Sequence, residues 1–256
     1  MKTSQTPAQK LFQRLWNAAG KGNLDLIDTT LDAGAKINHQ GELGRSPLMN
    51  AAAQGQVAAV RHLIDKGANM DLRDEQNETA IVYGVKGRRA LETRFDLVRT
   101  LAEAGAKTSV VDAIGIPLSH SVAKQFTFDQ VEQLIGLKLP LTGLSHLNNE
   151  TFVHALAEVG RFTGEQTAVL VDHALKQGVD LETMNTRRRT ALATAAEQDR
   201  PAVALVLLER GACLDNVLDL SLREKIEGWA QEHGFSPKPA QPTLPPMAPG
   251  RRRRGP

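Results

Sequence analysis

The chain has 256 residues, a formal net charge of +2 and 41% hydrophobic residues, of which few are aromatic. No run of 18 apolar residues is present, which excludes a membrane-spanning helix of ordinary hydropathy, and residues 1–7 lack the apolar core of a secretory signal. The single cysteine, Cys213, cannot form an internal disulfide. We therefore expect a reducing compartment and a cytoplasmic location, with signal-independent secretion into a host cell as the open alternative.

The dipeptide Gly-Ala recurs along the chain at nearly constant intervals. It stands at Gly34, Gly67, Gly105 and Gly211, and Gly178-Val179 is a near match. The successive intervals are 33, 38, 73 and 33 residues. A period of this length indicates a stack of structural repeats.

Each period also contains the signals of two helices. A hydroxyl residue, as in Ser46-Pro47 or Thr190, can cap a helix start, and proline fits the first helical turn. An aliphatic second segment, such as residues 203–208, predicts a buried second helix. The glycine of Gly-Ala should end that helix in a left-handed conformation. We therefore expect pairs of helices joined to the next pair by hairpin-like loops.

This sequence pattern resembles the ankyrin repeat, whose signature is Thr-Pro-Leu-His-x-Ala followed by a second helix and Gly-Ala. The resemblance implies an all-α solenoid of about six helix-turn-helix units, with a C-terminal capping helix at 216–234. The expected domain runs over 11–234, after a flexible N-terminus at 1–10. The six expected units are 11–38, 39–71, 72–109, 110–142, 143–182 and 183–215.

Three departures from the period predict local irregularity. Unit three holds five extra residues near 86–92, and unit five has a comparable insertion near 160–165. Both should bulge the turn between two helices, because insertions in repeats go to loops. Unit four places Lys138-Leu139 where Gly-Ala belongs. We expect a distorted unit there and a local bend in the stack.

The C-terminal segment 235–256 has a different composition. Residues 236–256 carry seven of the twelve prolines and a charge of +5 with no acidic residue, which leaves −3 for the rest of the chain. We expect a disordered tail. Arg251, Arg252, Arg253 and Arg254 could contact nucleic acid or acidic lipid weakly, and the alternative is a solvated tail without a specific partner.

The sequence indicates no catalytic residues, no metal ligands and no cofactor. His154 occupies the signature histidine, which in the family usually bonds loop backbone, so we interpret it as structural. His120 and His146 lack the spacing of a zinc site. Ser119-His120-Ser121 does not indicate a hydrolase, because adjacent helix residues point in different directions. We do not expect an enzyme; residues 112–149 are too few to form a catalytic domain.

The resemblance instead implies a protein-binding surface, since ankyrin proteins generally use loop tips and the exposed side of the first helix, which line a concave groove. We expect a monomer that binds a partner protein there without catalysis. One alternative is anionic-surface binding through the tail and the 187–189 loop; another is an effector or inhibitor that acts by binding another protein. The expected partner-binding residues are Glu42, Leu43, Arg45, Met49, Asn50, Glu75, Gln76, Glu78, Tyr83, Lys86, Arg187 and Arg189.

Overall fold

The computed structural model describes residues 6–235, and within them the chain forms thirteen α-helices. Short 3-10 turns occur at Glu42–Gly44 and Leu214–Asn216, and in this part of the chain one isolated bridge, between Val111 and Pro117, is the only β-type pairing. The helices are α1 (Pro7–Lys21), α2 (Leu24–Asp32), α3 (Pro47–Ala53), α4 (Val57–Asp65), α5 (Ala80–Lys86), α6 (Leu91–Glu103), α7 (Leu118–Gln125), α8 (Phe128–Gly136), α9 (Phe152–Val159), α10 (Gly164–Lys176), α11 (Ala191–Glu197), α12 (Pro201–Glu209) and α13 (Leu220–Glu232).

The helices form six pairs and one cap, as predicted. The first helices of the pairs pack side by side in one layer and the second helices in another. Helix α13 packs against both helices of the last pair. Buried apolar side chains from every pair form one continuous core. No pair buries its own apolar face, so the stability of each unit depends on its neighbours.

The five glycines of the period end the second helices in the predicted left-handed conformation. Their φ angles lie between 88° and 95°, and a Cβ added at any of them would meet nothing within 4 Å. The requirement for glycine is therefore conformational and not steric. Lys138, at the corresponding place in unit four, adopts φ 65°, so the predicted position of the lost Gly-Ala is confirmed.

The two insertions lie where the sequence predicts, but they take a different form. Helices α6 and α10 have 13 residues each, whereas α2, α4, α8 and α12 have 9. Most of the extra residues therefore continue a second helix by one turn and do not bulge the loop. In α6 the added turn, residues 91–94, is held by its side chains: Leu91 packs against the core, and Arg94 donates to the Val85 carbonyl at 3.2 Å and to the Gln125 amide oxygen at 2.5 Å.

The loops between units are hairpin-like turns that we call tips two to six after the unit that each begins. In tips three, four and six, the first residue donates its N–H to the carbonyl four residues later, at 2.9–3.1 Å. The side chain of that first residue, Asp74, Asp112 or Asn185, accepts two further N–H bonds from its own tip. Each tip is thus a fixed turn.

Neighbouring tips are joined into a row. The N–H of Glu75 donates to the Leu43 carbonyl at 3.0 Å, that of His146 to Gly115 at 3.0 Å, and that of Thr186 to Asn148 at 2.8 Å. These backbone bonds join tip two to three, four to five, and five to six. Between tips three and four, a side-chain bond described below takes their place.

Both ends of the domain differ from the prediction. Helix α1 begins at Pro7, inside the segment predicted to be flexible, because Thr6 and Gln9 form a capping box. The cap helix covers Leu220–Glu232 and not 216–234, and Leu218 is 52% exposed. Lys225 of α13 donates from Nζ to the Ala196 carbonyl at the end of α11. The predicted tail at 235–256 lies, from residue 236 onward, outside the described residues.

Candidate functional site

The tips and the exposed edges of the first helices form one face of the molecule, which we call the tip face. The predicted partner-binding residues fall into three groups on it. Met49 and Glu78 are buried, and Arg45, Asn50, Tyr83 and Arg189 are half-buried. The exposed residues are Glu42, Leu43, Glu75, Gln76, Lys86 and Arg187.

The prediction that Met49 contributes surface is wrong. Its side chain is 1% exposed and lies in the core, where its sulfur accepts the N–H of Ser46 at 3.4 Å. The side-chain amide of Asn50 donates to the Trp16 carbonyl at 2.9 Å and so bonds α3 to α1. Both residues therefore hold the first helices together.

The prediction for Glu78 is also wrong, because this residue is 3% exposed. Its carboxylate accepts a bond from Lys86 Nζ at 2.7 Å and one from the N–H of Ala113 at 2.9 Å. The second bond joins tip three to tip four, in place of the backbone bond found between other tips. Lys86 lies 3.8 Å from Asp112 and completes the cluster. Glu78 is therefore a buried residue that holds tips three and four together and is not exposed to a partner.

Tyr83 is held in one orientation by a buried carboxylate. Its hydroxyl donates to Asp74 Oδ2 at 2.6 Å, and the side chain of Asp74 is 1% exposed. The Arg45 guanidinium lies 5.6 Å from the centre of the Tyr83 ring, within cation–π distance. Burial and the Asp74 carboxylate raise the pKa of the Tyr83 phenol. The ring is therefore a rigid, neutral anchor in the tip face.

A groove of about 440 Å³ lies beside Tyr83, between the ends of α3 and α5. Its outer wall is formed by Arg88 and Arg89, and Arg89 donates to the amide oxygen of Gln54 at 3.3 Å. Neither arginine forms an ion pair with a residue in the described range 6–235. Since Lys86 is paired with Glu78, the uncompensated charge of the groove is positive and lies at this end.

At tip six, the predicted arginines divide by role. Arg189 forms an ion pair with Glu197, and its carbonyl accepts a bond from His154. Arg187 is exposed, and so is Arg188, which has φ 58° at the left-handed position held by Gly44 in tip two and Gly115 in tip four. Arg187 and Arg188 are thus the charges that this tip offers to solvent.

The interpretation of His154 as structural agrees with its contacts. Its Nε2 lies 3.0 Å from the Arg189 carbonyl, which can only accept, so Nε2 carries the proton; Nδ1 then accepts from the N–H of Thr151. His120 has the same role toward the Glu150 carbonyl at 2.8 Å, which the sequence interpretation missed. Burial lowers the pKa of His120 to about 4 and lowers that of His154.

The contacts of these histidines also bear on catalysis. Ser119 Oγ lies 3.4 Å from His120 Nδ1, but both residues are 1% exposed, so no substrate can reach the hydroxyl. Across the described part of the chain, no group of three His, Cys, Asp or Glu side chains could hold a metal ion. Within residues 6–235, no helix is both long and apolar enough to cross a membrane.

Two aromatic residues that the sequence interpretation missed also lie on the tip face. Phe12 and Trp16 of α1 line a second groove, of about 240 Å³, together with residues of tip two. The available signal was their spacing: they are four residues apart on α1 and so share one side of it, beside the buried Leu15. This groove extends the tip face to the N-terminal end of the stack.

Comparison with known sequences places the repeats in a described family. Residues 15–112 match the family model "Ankyrin repeats (3 copies)". An L-asparaginase of Dirofilaria immitis is 33% identical over 98 residues, 38% of this chain and 16% of that protein. The ankyrin repeat, SAM and basic leucine zipper domain-containing protein 1 of Dasypus novemcinctus is 29% identical over 108 residues, 42% of this chain and 22% of that protein. The chain therefore spans less than a quarter of these relatives.

Solved structures match over more of the chain. A chain from the complex of a predatory endopeptidase of Bdellovibrio bacteriovorus with an immunity protein is 27% identical, with TM-score 0.62; the match covers 81% of this chain and 100% of that one. An ankyrin repeat domain from Acinetobacter baumannii has TM-score 0.65 at 20% identity, covering 77% and 97%. This fold is generally a non-enzymatic module for protein–protein interaction. Residues 15–112 are therefore ankyrin repeats, and the fold of the described residues is that of an ankyrin repeat domain.

Proposed function

We propose that this protein binds a partner protein through the tip face, without catalysis. The observation that carries the proposal is the exposure, on one face with a fixed backbone, of residues that the repeat register predicts to point outward: Glu42, Leu43, Glu75, Gln76 and Arg187. A preorganised surface of this kind binds with little loss of conformational entropy.

In this proposal the predicted residues have two roles. Exposed residues of the tips contact the partner, together with the edge of Tyr83 and with Lys86. Arg45, Glu78 and Arg189 hold the tips in place, and Asn50 joins α3 to α1. Arg88 and Arg89 join the contacting set, because their charge is exposed at the wall of the groove. Tyrosine and arginine are the residue types that most often dominate binding energy at interfaces.

The endopeptidase complex supports a narrower second candidate, in which the partner is an enzyme. That complex contains an endopeptidase and an immunity protein. One chain of the complex matches this protein, and the match covers the whole length of that chain. An inhibitor that acts by binding belongs to the alternatives that the sequence leaves open. An enzyme held against the tip face would lose activity in proportion to the fraction bound.

Site-specific photo-crosslinking in the native cell tests the proposal. A photoreactive amino acid replaces Gln76 or Arg187 on the tip face, and Val169 or Glu132 on the exposed sides of α10 and α8 serves as the control. We expect one protein to be crosslinked from both tip positions and from neither control. Equal or stronger crosslinking of that protein from Val169 and Glu132 would contradict the assignment of the face.

Anionic-surface binding remains the third candidate. Arg187 and Arg188 are exposed at tip six, whereas Arg251–Arg254 lie outside the described residues. Binding of this kind weakens steeply with salt, because each neutralised phosphate releases counterions. A salt titration of the full chain against a duplex oligonucleotide and against acidic vesicles, repeated without residues 236–256, measures it. A flat salt response and no effect of truncation would remove this candidate.

A further inference from the structure

We propose that Phe12, Trp16 and Leu43 form a subsite that takes one apolar side chain of the partner, next to a basic residue of the same partner segment. The inference rests on the proposed function and deepens it, since it states the chemistry of the segment that binds at the N-terminal end of the tip face. It is carried by three observations: the shape of the groove, its charge and the backbone of Leu43.

The groove is built from aromatic side chains with fixed positions. The rings of Phe12 and Trp16 lie 5.8 Å apart, and Phe12 also packs on His39 at 4.7 Å. A Cβ at Gly41 would come within 2.2 Å of the Phe12 ring, so glycine lets the ring lie directly against tip two. The resulting volume of about 240 Å³ equals that of about eight water molecules, which is room for one large side chain.

The rim of the groove carries a net negative charge. Its two charged residues are Glu42 and Arg45. Arg45 is compensated by the buried carboxylate of Asp74, whose Oδ2 lies 3.9 Å from its Nε. Glu42 is exposed and forms no ion pair with the residues that the structure describes. A partner segment complementary to this rim places Lys or Arg beside its apolar side chain.

Leu43 sits in the groove at a conformational cost. Its φ is 57°, a left-handed conformation that a branched apolar residue rarely adopts, and its side chain is 46% exposed. Neither feature helps the fold, because Asn or Gly would relieve the backbone and an exposed Leu buries little. Strained residues of this kind cluster at binding sites. The strain is explained if Leu43 is there to contact a partner.

Capped tripeptides test the subsite without knowledge of the partner. Trp16 and Trp229 are the only tryptophans, so Trp229→Phe in the full chain leaves the fluorescence and the indole N–H resonance of Trp16 as reporters. The probes are Ac-Lys-Phe-Lys-NH₂, Ac-Lys-Ser-Lys-NH₂ and Ac-Glu-Phe-Glu-NH₂. At low salt we expect saturable binding of the first, at least about fivefold tighter than either of the others.

Three variants separate the contributions. Leu43→Asn should abolish the preference for Phe over Ser while the melting temperature stays the same or rises. Glu42→Gln should bring the preference for Lys over Glu to within about twofold and keep the preference for Phe. Val169→Asn removes an exposed apolar side chain of α10, outside the tip face; it is the matched control and should leave both preferences unchanged.

Two results would overturn the subsite: no saturable change of Trp16 up to about 10 mM of the first peptide, or unaltered binding in Leu43→Asn. Either result, with crosslinks still confined to Gln76 and Arg187, would leave the proposed function standing. Crosslinks from α8 and α10, with selective peptide binding intact, would instead remove the proposed function and keep the subsite.

Discussion

Tips three and five are held to the stack by different chemistry. In units four and five, a buried neutral histidine, His120 or His154, donates to a carbonyl of the following tip. Unit three uses two carboxylates: Asp74 accepts from Tyr83 within the unit, and Glu78 accepts from Lys86 and from the N–H of Ala113 in the following tip. The histidines are closed off from solvent, whereas Tyr83 and Lys86 reach the tip face.

Because of this difference, we expect the half of the tip face around tip three to be the better binding surface. Around tip three, the groups that position the backbone are also surface groups, so a partner that contacts Tyr83 or Lys86 touches the network that fixes the tips. In units four and five, the positioning groups serve only the fold. In unit three Val82 stands at the position of these histidines, and the groups that fix the tips lie at the candidate site instead.

Removal of Asp74 should have the largest effect on stability. Asp74→Ala deletes three hydrogen-bond acceptances in a side chain that is 1% exposed, and leaves the Tyr83 hydroxyl without its partner. We expect a loss of about 3 kcal/mol in the free energy of unfolding, measured by urea denaturation. Glu75→Ala, on the exposed neighbour, is the control and should change it by less than about 0.5 kcal/mol. Equal losses in the two variants would refute the network.

The second largest effect on the free energy of unfolding should come from acid, which acts on the histidines of units four and five. The pKa of His120 is lowered from 6.5 to about 4 by burial, so between these values the unfolded chain binds a proton that the folded chain does not. The buried neutral His120 therefore contributes its full stabilisation of the folded state above pH 6.5, and this contribution is lost as the pH falls toward 4. We expect this residue to lower the free energy of unfolding by about 2 kcal/mol between pH 7.5 and pH 5.

Urea denaturation of wild type and His120→Gln at both pH values checks this expectation. Glutamine keeps a donor for the Glu150 carbonyl but does not titrate, so the variant should lose about 2 kcal/mol less on acidification than wild type. His154, whose pKa is lowered for the same reason, should keep part of the pH dependence in the variant. An identical pH response in both proteins would show that His120 is not buried in its neutral form.

The smallest effect should come from the backbone of tip six. Arg188 adopts φ 58°, so Arg188→Gly should raise the free energy of unfolding by about 0.5–1 kcal/mol. Arg187→Gly, one residue earlier and outside the left-handed region, should lower it by a few tenths of a kcal/mol. Thermal unfolding of the two variants compares positions of equal charge, and a change of the same sign in both would contradict the assigned conformation.

The sequence predicted the architecture well because the period is a backbone property. Glycine, or Lys138 in its place, stands where the chain must turn left-handed, and this fixed the six units and the cap. The sequence predicted the positions of the two insertions but not their conformation. Whether extra residues loop out or extend a helix depends on what their side chains can contact, as Leu91 does in the core and Arg94 does at Val85 and Gln125.

Individual side chains of the site were less predictable. The register identified Glu42, Leu43 and Arg187 as exposed, but it could not show that Met49 turns into the core or that Glu78 turns back to the N–H of Ala113. Those contacts involve residues more than thirty positions away or the packing of neighbouring helices. Phe12 and Trp16 were missed because their groove exists only once tip two folds against α1.

Hydrogen–deuterium exchange of the full chain, with and without the partner identified by crosslinking, tests the central claim most directly. The account predicts slower exchange on binding at tips two, three and six, in residues 42–45, 75–79 and 186–189, and in the N-terminal part of α5, with no change in α8 or α10. Slower exchange in α8 and α10, with tips two and three unchanged, would contradict it.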